Sequence, residues 1–148
     1  MKKIRLYNVI FPVWMLFPQI WLIALSGNLF IDCVVVLLTL LVLKHTAKWT
    51  VLKQVWWRVW LWGFAADFVG VALLIFAMFA LGFLPKPWNA WLAFVVTALA
   101  VAISGVHIYF FNKHEVFSRT ELTDRERHLL CLTLAIVTAP WTFFIPMY

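Results

Sequence analysis

The chain has 148 residues, of which 66% are hydrophobic and only 12% are charged, and its mean hydropathy is +0.97. Soluble domains are nearer one-half apolar and one-quarter charged, so this balance excludes a cytosolic enzyme, a disulfide-stabilised secreted module, a nucleic-acid-binding domain and a disordered chain. The composition instead predicts an all-α integral membrane helical bundle, forming a single transmembrane domain over residues 1–148.

Five transmembrane helices are predicted in chain order, at about 6–25, 29–46, 59–84, 88–111 and 129–148. Ser26, Gly27 and Asn28 predict a turn between the first two spans. Proline cannot continue a helix, so Pro85 and Pro87 are expected to end the third span. Pro140 is expected to break hydrogen bonds in the fifth span and to kink it.

Two polar or amphipathic segments separate these spans. Residues 46–58 place Trp49, Leu52, Trp56 and Val59 at helical spacing, which predicts an amphipathic helix lying in the membrane interface before the chain turns into the third span. The connection 112–128 is plainly polar and contains two matches to the capping-box spacing, one at Ser118 and one at Thr123. We expect a short helical turn there, leading into the fifth span.

The distribution of Lys and Arg predicts the orientation of the chain. Lys86 alone falls on one side of the predicted membrane. The other eleven basic residues fall at the amino terminus, the second connection and the fourth connection: Lys2, Lys3, Arg5, Lys44, Lys48, Lys53, Arg58, Lys113, Arg119, Arg125 and Arg127. This asymmetry predicts a cytoplasmic amino terminus, an outer carboxyl terminus and attraction to anionic lipid headgroups. The membrane topology therefore explains the excess of basic residues, and no nucleic-acid partner is expected. An alternative in which the first span is a cleaved signal peptide leaves four spans in the same orientation.

Asp67 is the main candidate for a functional site, because an ionisable group within a membrane is costly unless it meets a partner or water. Gly63, Ala66 and Gly70 share its helical face, so Asp67 is expected to face protein. Counting across the hairpin centred on Lys86 brings Ser104 and His107 to a similar depth, and Thr97 lies near the same face of that helix. We predict a contact between Asp67 and Ser104 or His107. Such a contact is either a proton or cation site or a structural hydrogen bond between helices.

A second candidate site involves Asp32 and Gln19 near the predicted outer turn. Asp32 lies five residues after Gly27, about 7 Å along a helix. At that depth the carboxylate is expected to reach interfacial water, and together with Gln19 it could line an outer vestibule.

No cofactor or metal is expected. Cys33 and Cys131 are predicted near opposite faces of the membrane, too far apart for a disulfide. His45, His114 and His128 are expected at the cytoplasmic surface, and the four histidines show no metal-binding spacing. Nucleophile and phosphate-binding motifs are also missing, which weighs against an enzyme.

The sequence therefore favours a small transporter or channel-like protein for a small solute or ion, with Asp67 and His107 as its coupling or selectivity pair. The alternative is a non-catalytic membrane subunit or partner protein, for assembly, immunity or sensing, whose buried polar residues are structural. We expect a homo-oligomer or a complex with another membrane protein. The expected location is the plasma membrane, most simply the cytoplasmic membrane of a bacterium.

Overall fold

The computed structural model describes residues 18–80 and 90–144. Four α-helices account for most of this part of the chain: α1 is Pro18–Val42, α2 is Lys48–Ala80, α3 is Ala90–Phe111 and α4 is Asp124–Val137. Shorter helical segments follow α3 and α4, namely a π-helix at Asn112–Val116 and 3-10 helices at Phe117–Arg119 and Trp141–Phe144. No strand occurs in the described ranges, so the all-α prediction is confirmed.

Four helical segments are long and apolar enough to cross a membrane. They cover Leu25–Val42, Lys48–Ala77, Phe94–Arg119 and Asp124–Phe144, with mean hydropathies of 2.2, 2.0, 2.1 and 1.3. The amino-terminal part of the predicted first span lies outside the described residues, as do Lys86 and the last four residues. The count of five spans and the orientation of the termini therefore stay predictions.

The turn expected at Ser26, Gly27 and Asn28 is wrong, because these residues lie within α1. A single glycine inside a helix costs only about 1 kcal/mol relative to alanine, and no proline interrupts the hydrogen bonds here. A Cβ atom on Gly27 would meet no other atom within 4 Å, so this glycine serves no close approach. The predicted spans 6–25 and 29–46 thus overlap one continuous helix.

The carboxyl end of α1 is closed by a left-handed residue. Lys44 has φ of 55°, and two backbone N–H groups fold back onto the last turn: Lys44 donates to Leu41 at 3.0 Å and His45 donates to Leu40 at 3.0 Å. This pair of bonds is the Schellman arrangement, which satisfies carbonyls that the helix leaves unpaired. The helix ends at Val42, so the connection to α2 is short.

The predicted amphipathic segment at 46–58 is the first part of α2, so the turn expected between it and the third span is not formed. Its location in a membrane interface stays a prediction. The 33 residues of α2 correspond to about 50 Å at 1.5 Å per residue. The face that packs inside the protein carries Val51, Val55 and Val59, whereas Trp49 and Trp56 are exposed. The valines belong to the core because neighbouring helices cover them, and the tryptophans lie on the outer surface of the bundle.

The connection between α3 and α4 is more helical than expected. α3 continues into the π-helix and the 3-10 turn that contains Ser118, so Ser118 begins no α-helix. Thr123 forms the complete capping box with Glu126, as predicted at that position. α4 therefore begins at Asp124, earlier than the predicted 129. It ends at Val137, before Pro140. The kink expected at Pro140 is therefore not formed, because this proline lies beyond the helix.

The four helices pack in a ring, in which α1 and α3 each contact both α2 and α4. The buried core is formed mainly by valine and leucine from these helices, together with Phe117 from the α3–α4 connection. Trp62 of α2 stacks on Phe111 of α3 at 4.3 Å between ring centroids.

One hydrogen bond joins the two basic connections. Nδ1 of His45, between α1 and α2, lies 3.0 Å from Oε1 of Glu126 in the first turn of α4. The α1–α2 and α3–α4 connections are therefore at the same end of the bundle, as the distribution of Lys and Arg requires.

Candidate site: two carboxylates between the helices

Asp32 lies in the middle of α1 and is almost completely buried, with 2% of its surface exposed. It faces Gly63 of α2, where a Cβ atom would lie 3.3 Å from Asp32 Oδ2. Gly63 thus leaves the space that the carboxylate occupies. This burial contradicts the expectation of a shallow, water-exposed acid, which depended on the incorrect turn before residue 29.

Gln19 and Asp32 both belong to α1. They are 13 positions apart, which corresponds to about 20 Å along the helix. An outer vestibule that includes both residues stays a prediction.

Asp67 lies one turn beyond Gly63 on α2. Its carboxylate is close enough to interact electrostatically with that of Asp32. Within the described ranges, neither Oδ2 of Asp32 nor Oδ1 of Asp67 has a hydrogen-bond partner, although both atoms are buried. Two acids from adjacent helices therefore share one region of the bundle, and each keeps one oxygen available.

Thr138, directly after α4, lies beside the Asp32 carboxyl group. Its hydroxyl donates to the Leu134 carbonyl at 2.9 Å, so that proton is already in use. Residues from α1, α2 and the end of α4 surround the carboxylates. A ligand with positive charge or a proton would supply what the two unpartnered oxygens lack.

Ser104 is buried on α3. Its hydroxyl donates to the main-chain carbonyl of Ala66 at 2.8 Å. The helices approach closely here, since a Cβ atom on Gly70 would overlap Ser104 Oγ. This close approach allows the short serine side chain to reach the backbone of α2.

His107 also bonds to a main-chain carbonyl. Its Nδ1 lies 2.8 Å from the oxygen of Ile103, and because a carbonyl only accepts, Nδ1 carries the hydrogen. Thr97 lies seven residues before Ser104 on the same helix and is half-buried. Ser104 and His107 thus direct these hydrogen bonds to main-chain carbonyls, and the predicted contact of either residue with Asp67 stays a prediction.

The juxtaposition of Asp32 and Asp67 was missed by sequence reasoning. The same counting that was applied across the hairpin at Lys86 could have been applied across the connection after Val42. It brings Asp32 opposite about residue 58 of α2, five residues before Gly63, which places Asp32 deep in the bundle but not beside Asp67. The incorrect turn at 26–28 hid this signal by placing Asp32 near the membrane surface.

No group of three or more potential metal ligands occurs in the described part of the chain. Cys33 and Cys131 are both free thiols. Comparison with family models, curated proteins and solved structures finds no match.

Proposed function

We propose that the protein is a transporter or channel-like protein for a small solute or ion, in which Asp32 and Asp67 form the coupling or selectivity site. The observation that carries this proposal is a pair of carboxylates on adjacent helices, Asp32 buried and Asp67 half-buried, each with one buried oxygen that has no hydrogen-bond partner. An acid at the centre of a membrane helix costs about 2.5–3.5 kcal/mol on insertion scales, and such residues usually mark ion or proton pathways.

The chemistry of the pair suits a proton or a monovalent cation. Two neighbouring carboxylates repel each other when both are ionised, and one shared proton or one bound cation relieves that repulsion. Asp32 and Asp67 belong to α1 and α2, so occupancy of the site would alter the attraction between these helices. Asp32 thereby takes the place first assigned to His107.

The location in a plasma membrane, the five-span topology and assembly into an oligomer are parts of this proposal. The clustering of basic residues in two connections at one end supports the orientation. A bundle of this size encloses little space, and a pathway formed between copies would overcome that limit.

Ion flux through reconstituted protein tests the proposal. Liposomes loaded with dyes sensitive to protons, Na⁺ or K⁺ are given a membrane potential, and wild-type flux of at least one ion is expected to exceed that of protein-free liposomes. Asp67→Asn and Asp32→Asn should each reduce this flux to the protein-free level, and Asp67→Glu should retain part of it. Glu121→Gln, which changes an exposed carboxylate, is the matched control and should behave as wild type.

Infrared difference spectroscopy of the carboxyl band provides a readout that needs no solute. The wild-type band should change when protons or the transported cation are added, and the change should be lost in the double variant of Asp32 and Asp67. Wild-type flux in both asparagine variants would contradict the proposal, as would a protein that moves none of the three ions and shows no change in the carboxyl band.

A second candidate is a non-catalytic membrane subunit that binds another membrane protein. Ser104 and His107 favour it, because both use their side chains to bond main-chain carbonyls, as structural polar residues do. This function predicts that a second membrane protein is retained in mild detergent, and that both asparagine variants still retain it.

A further inference from the structure

An open apolar groove runs along the outer surface between α3 and α4. Its volume is about 590 Å³. The lining comes from one face of each helix and from the 3-10 turn after α4: Val101, Ala102, Gly105, Val106, Tyr109, Phe110, His128, Leu132, Ala135, Ile136, Ala139 and Trp141.

The groove exists because small residues form its floor. A Cβ atom on Gly105 would lie 3.2 Å from the main-chain oxygen of Ala135, so the two backbones approach closely at this point. Larger side chains stand on either side, with Val106 and Phe110 exposed on α3 and Ile136 exposed on α4. The result is a groove with apolar walls that opens to the outside of the bundle.

One end of the groove is polar and basic. Tyr109 Oη lies 2.7 Å from Nδ1 of His128, and Lys113 Nζ donates to the same Tyr109 oxygen at 3.0 Å. Lys113 also lies over the Tyr109 ring, 5.3 Å from its centroid. Lys113 uses one of its N–H groups on the phenol oxygen and keeps the others for another acceptor.

A second basic residue lies nearby on α4. Arg125 is exposed and precedes His128 by three residues, so the two share one side of the helix. This polar end belongs to the α3–α4 connection, which is the basic end of the bundle.

The length of the groove matches one half of a bilayer. From His128 to Ala139 the lining extends over 11 residues of sequence, about 16 Å at helical rise. The hydrocarbon core of a membrane is about 30 Å thick, so one leaflet accounts for about 15 Å. An acyl chain whose headgroup lies at the basic end would therefore fill the groove along its length.

We propose that this groove binds one acyl chain of an anionic glycerophospholipid, with the phosphate held by Lys113 beside Tyr109 and Arg125. Charge complementarity favours a lipid over a second copy of the chain. Copies in one membrane share their orientation, and a two-fold pairing along this groove would bring Lys113 and Arg125 of one copy near the same residues of the other. A lipid phosphate supplies the opposite charge instead.

Native mass spectrometry of the purified full chain tests this proposal by counting bound lipids. The probes are phosphatidylglycerol and phosphatidylcholine with identical acyl chains. One anionic lipid per chain is expected to be retained, with an affinity about 25-fold higher than that of phosphatidylcholine, because each of the two basic residues contributes about 1 kcal/mol, a factor of about five, near a membrane surface.

Two variants separate the headgroup from the acyl chain. Lys113→Gln should lower the preference for phosphatidylglycerol about five-fold, because Arg125 remains, and it should leave phosphatidylcholine binding unchanged. Ala102→Phe places a ring in the groove from an exposed position and should weaken the retention of both lipids at least five-fold. The controls are Lys53→Gln, an exposed lysine on α2, and Leu99→Phe, an exposed residue of α3 outside the groove; both should match wild type.

Three results would overturn the inference. The first is an unchanged lipid preference in Lys113→Gln, and the second is undiminished retention in Ala102→Phe. The third is a dimer that Ala102→Phe dissociates, which would assign the groove to a second copy. Circular dichroism and size-exclusion chromatography establish that each variant is folded. The flux of wild-type protein and of the Asp67 variant does not enter this test, so the inference is independent of the proposed transport function.

Discussion

Gly63 of α2 and Asp32 of α1 are so close that a Cβ atom on the glycine would lie 3.3 Å from Oδ2 of the carboxylate. A side chain at position 63 would therefore force the buried Asp32 carboxylate to shift. Asp67 lies one turn after Gly63 on α2. The small residues that let the helices pack closely and the two acids therefore lie in the same region of the bundle.

A series of glycine-to-alanine substitutions tests this packing. Gly27→Ala should stabilise the protein by up to about 1 kcal/mol, because alanine is the better helix former and the added atom meets nothing within 4 Å. Gly63→Ala should be less stable than Gly27→Ala, because the Asp32 carboxylate has to shift. Gly70→Ala should be the least stable, by about 1–3 kcal/mol relative to wild type, because the added atom would overlap Ser104 Oγ and lie 2.9 Å from Phe143. Thermal unfolding in a mild detergent measures the order, and a Gly70→Ala variant as stable as Gly27→Ala would contradict the packing.

Ser104 and Gly70 should show energetic coupling. Ser104→Ala removes one hydrogen bond to the Ala66 carbonyl and should cost about 0.6 kcal/mol, the average for interhelical hydrogen bonds in membranes. The same change removes the oxygen that an alanine at position 70 would overlap. The double variant of Ser104 and Gly70 should therefore be more stable than the sum of the single effects predicts. Unfolding free energies of the four proteins in the cycle measure this coupling, and strict additivity would rule it out.

The two possible capping boxes should respond differently to the loss of a hydroxyl. Thr123→Ala removes the side-chain acceptor for the N–H of Glu126 and should destabilise the protein by about 1 kcal/mol. Ser118→Ala serves as the control and should change stability by less than about 0.5 kcal/mol, because Ser118 lies in a 3-10 turn and begins no α-helix. Equal effects of the two substitutions in chemical or thermal unfolding would show that α4 begins elsewhere.

Replacement of lysine by glycine should have opposite effects at two positions. At Lys44 the backbone is left-handed, and a left-handed conformation costs a non-glycine residue about 1–2 kcal/mol. Lys44→Gly should therefore stabilise the end of α1 by about 1 kcal/mol. Lys53 lies within α2, so Lys53→Gly should destabilise the protein by about 1 kcal/mol. Both variants lose the same positive charge, and their difference in unfolding temperature isolates the backbone effect.

Composition and local pattern were sufficient to predict several features. The apolar content predicted an all-helical membrane protein, because no soluble fold of this size buries so much apolar surface. The Thr123–Glu126 spacing predicted the start of a helix, since a capping box depends only on residues within one turn. The Lys and Arg pattern anticipated that the two basic connections share one end of the bundle, which the contact between His45 and Glu126 bears out.

Features that depend on neighbouring helices could not be predicted in this way. Ser26, Gly27 and Asn28 form a turn motif in isolation, but the backbone bonds of a continuous helix outweigh their weak local preference. By spacing alone, Trp49, Leu52, Trp56 and Val59 form the apolar face of an amphipathic helix, but Val51, Val55 and Val59 are the residues that other helices cover. The depth of Asp32, its proximity to Asp67 and the use of Ser104 to bind a carbonyl were decided by tertiary structure alone, because each depends on how closely two helices approach. Gly63 and Gly70 of α2 permit that approach, but which residues of the neighbouring helices they meet is decided only when the helices pack together.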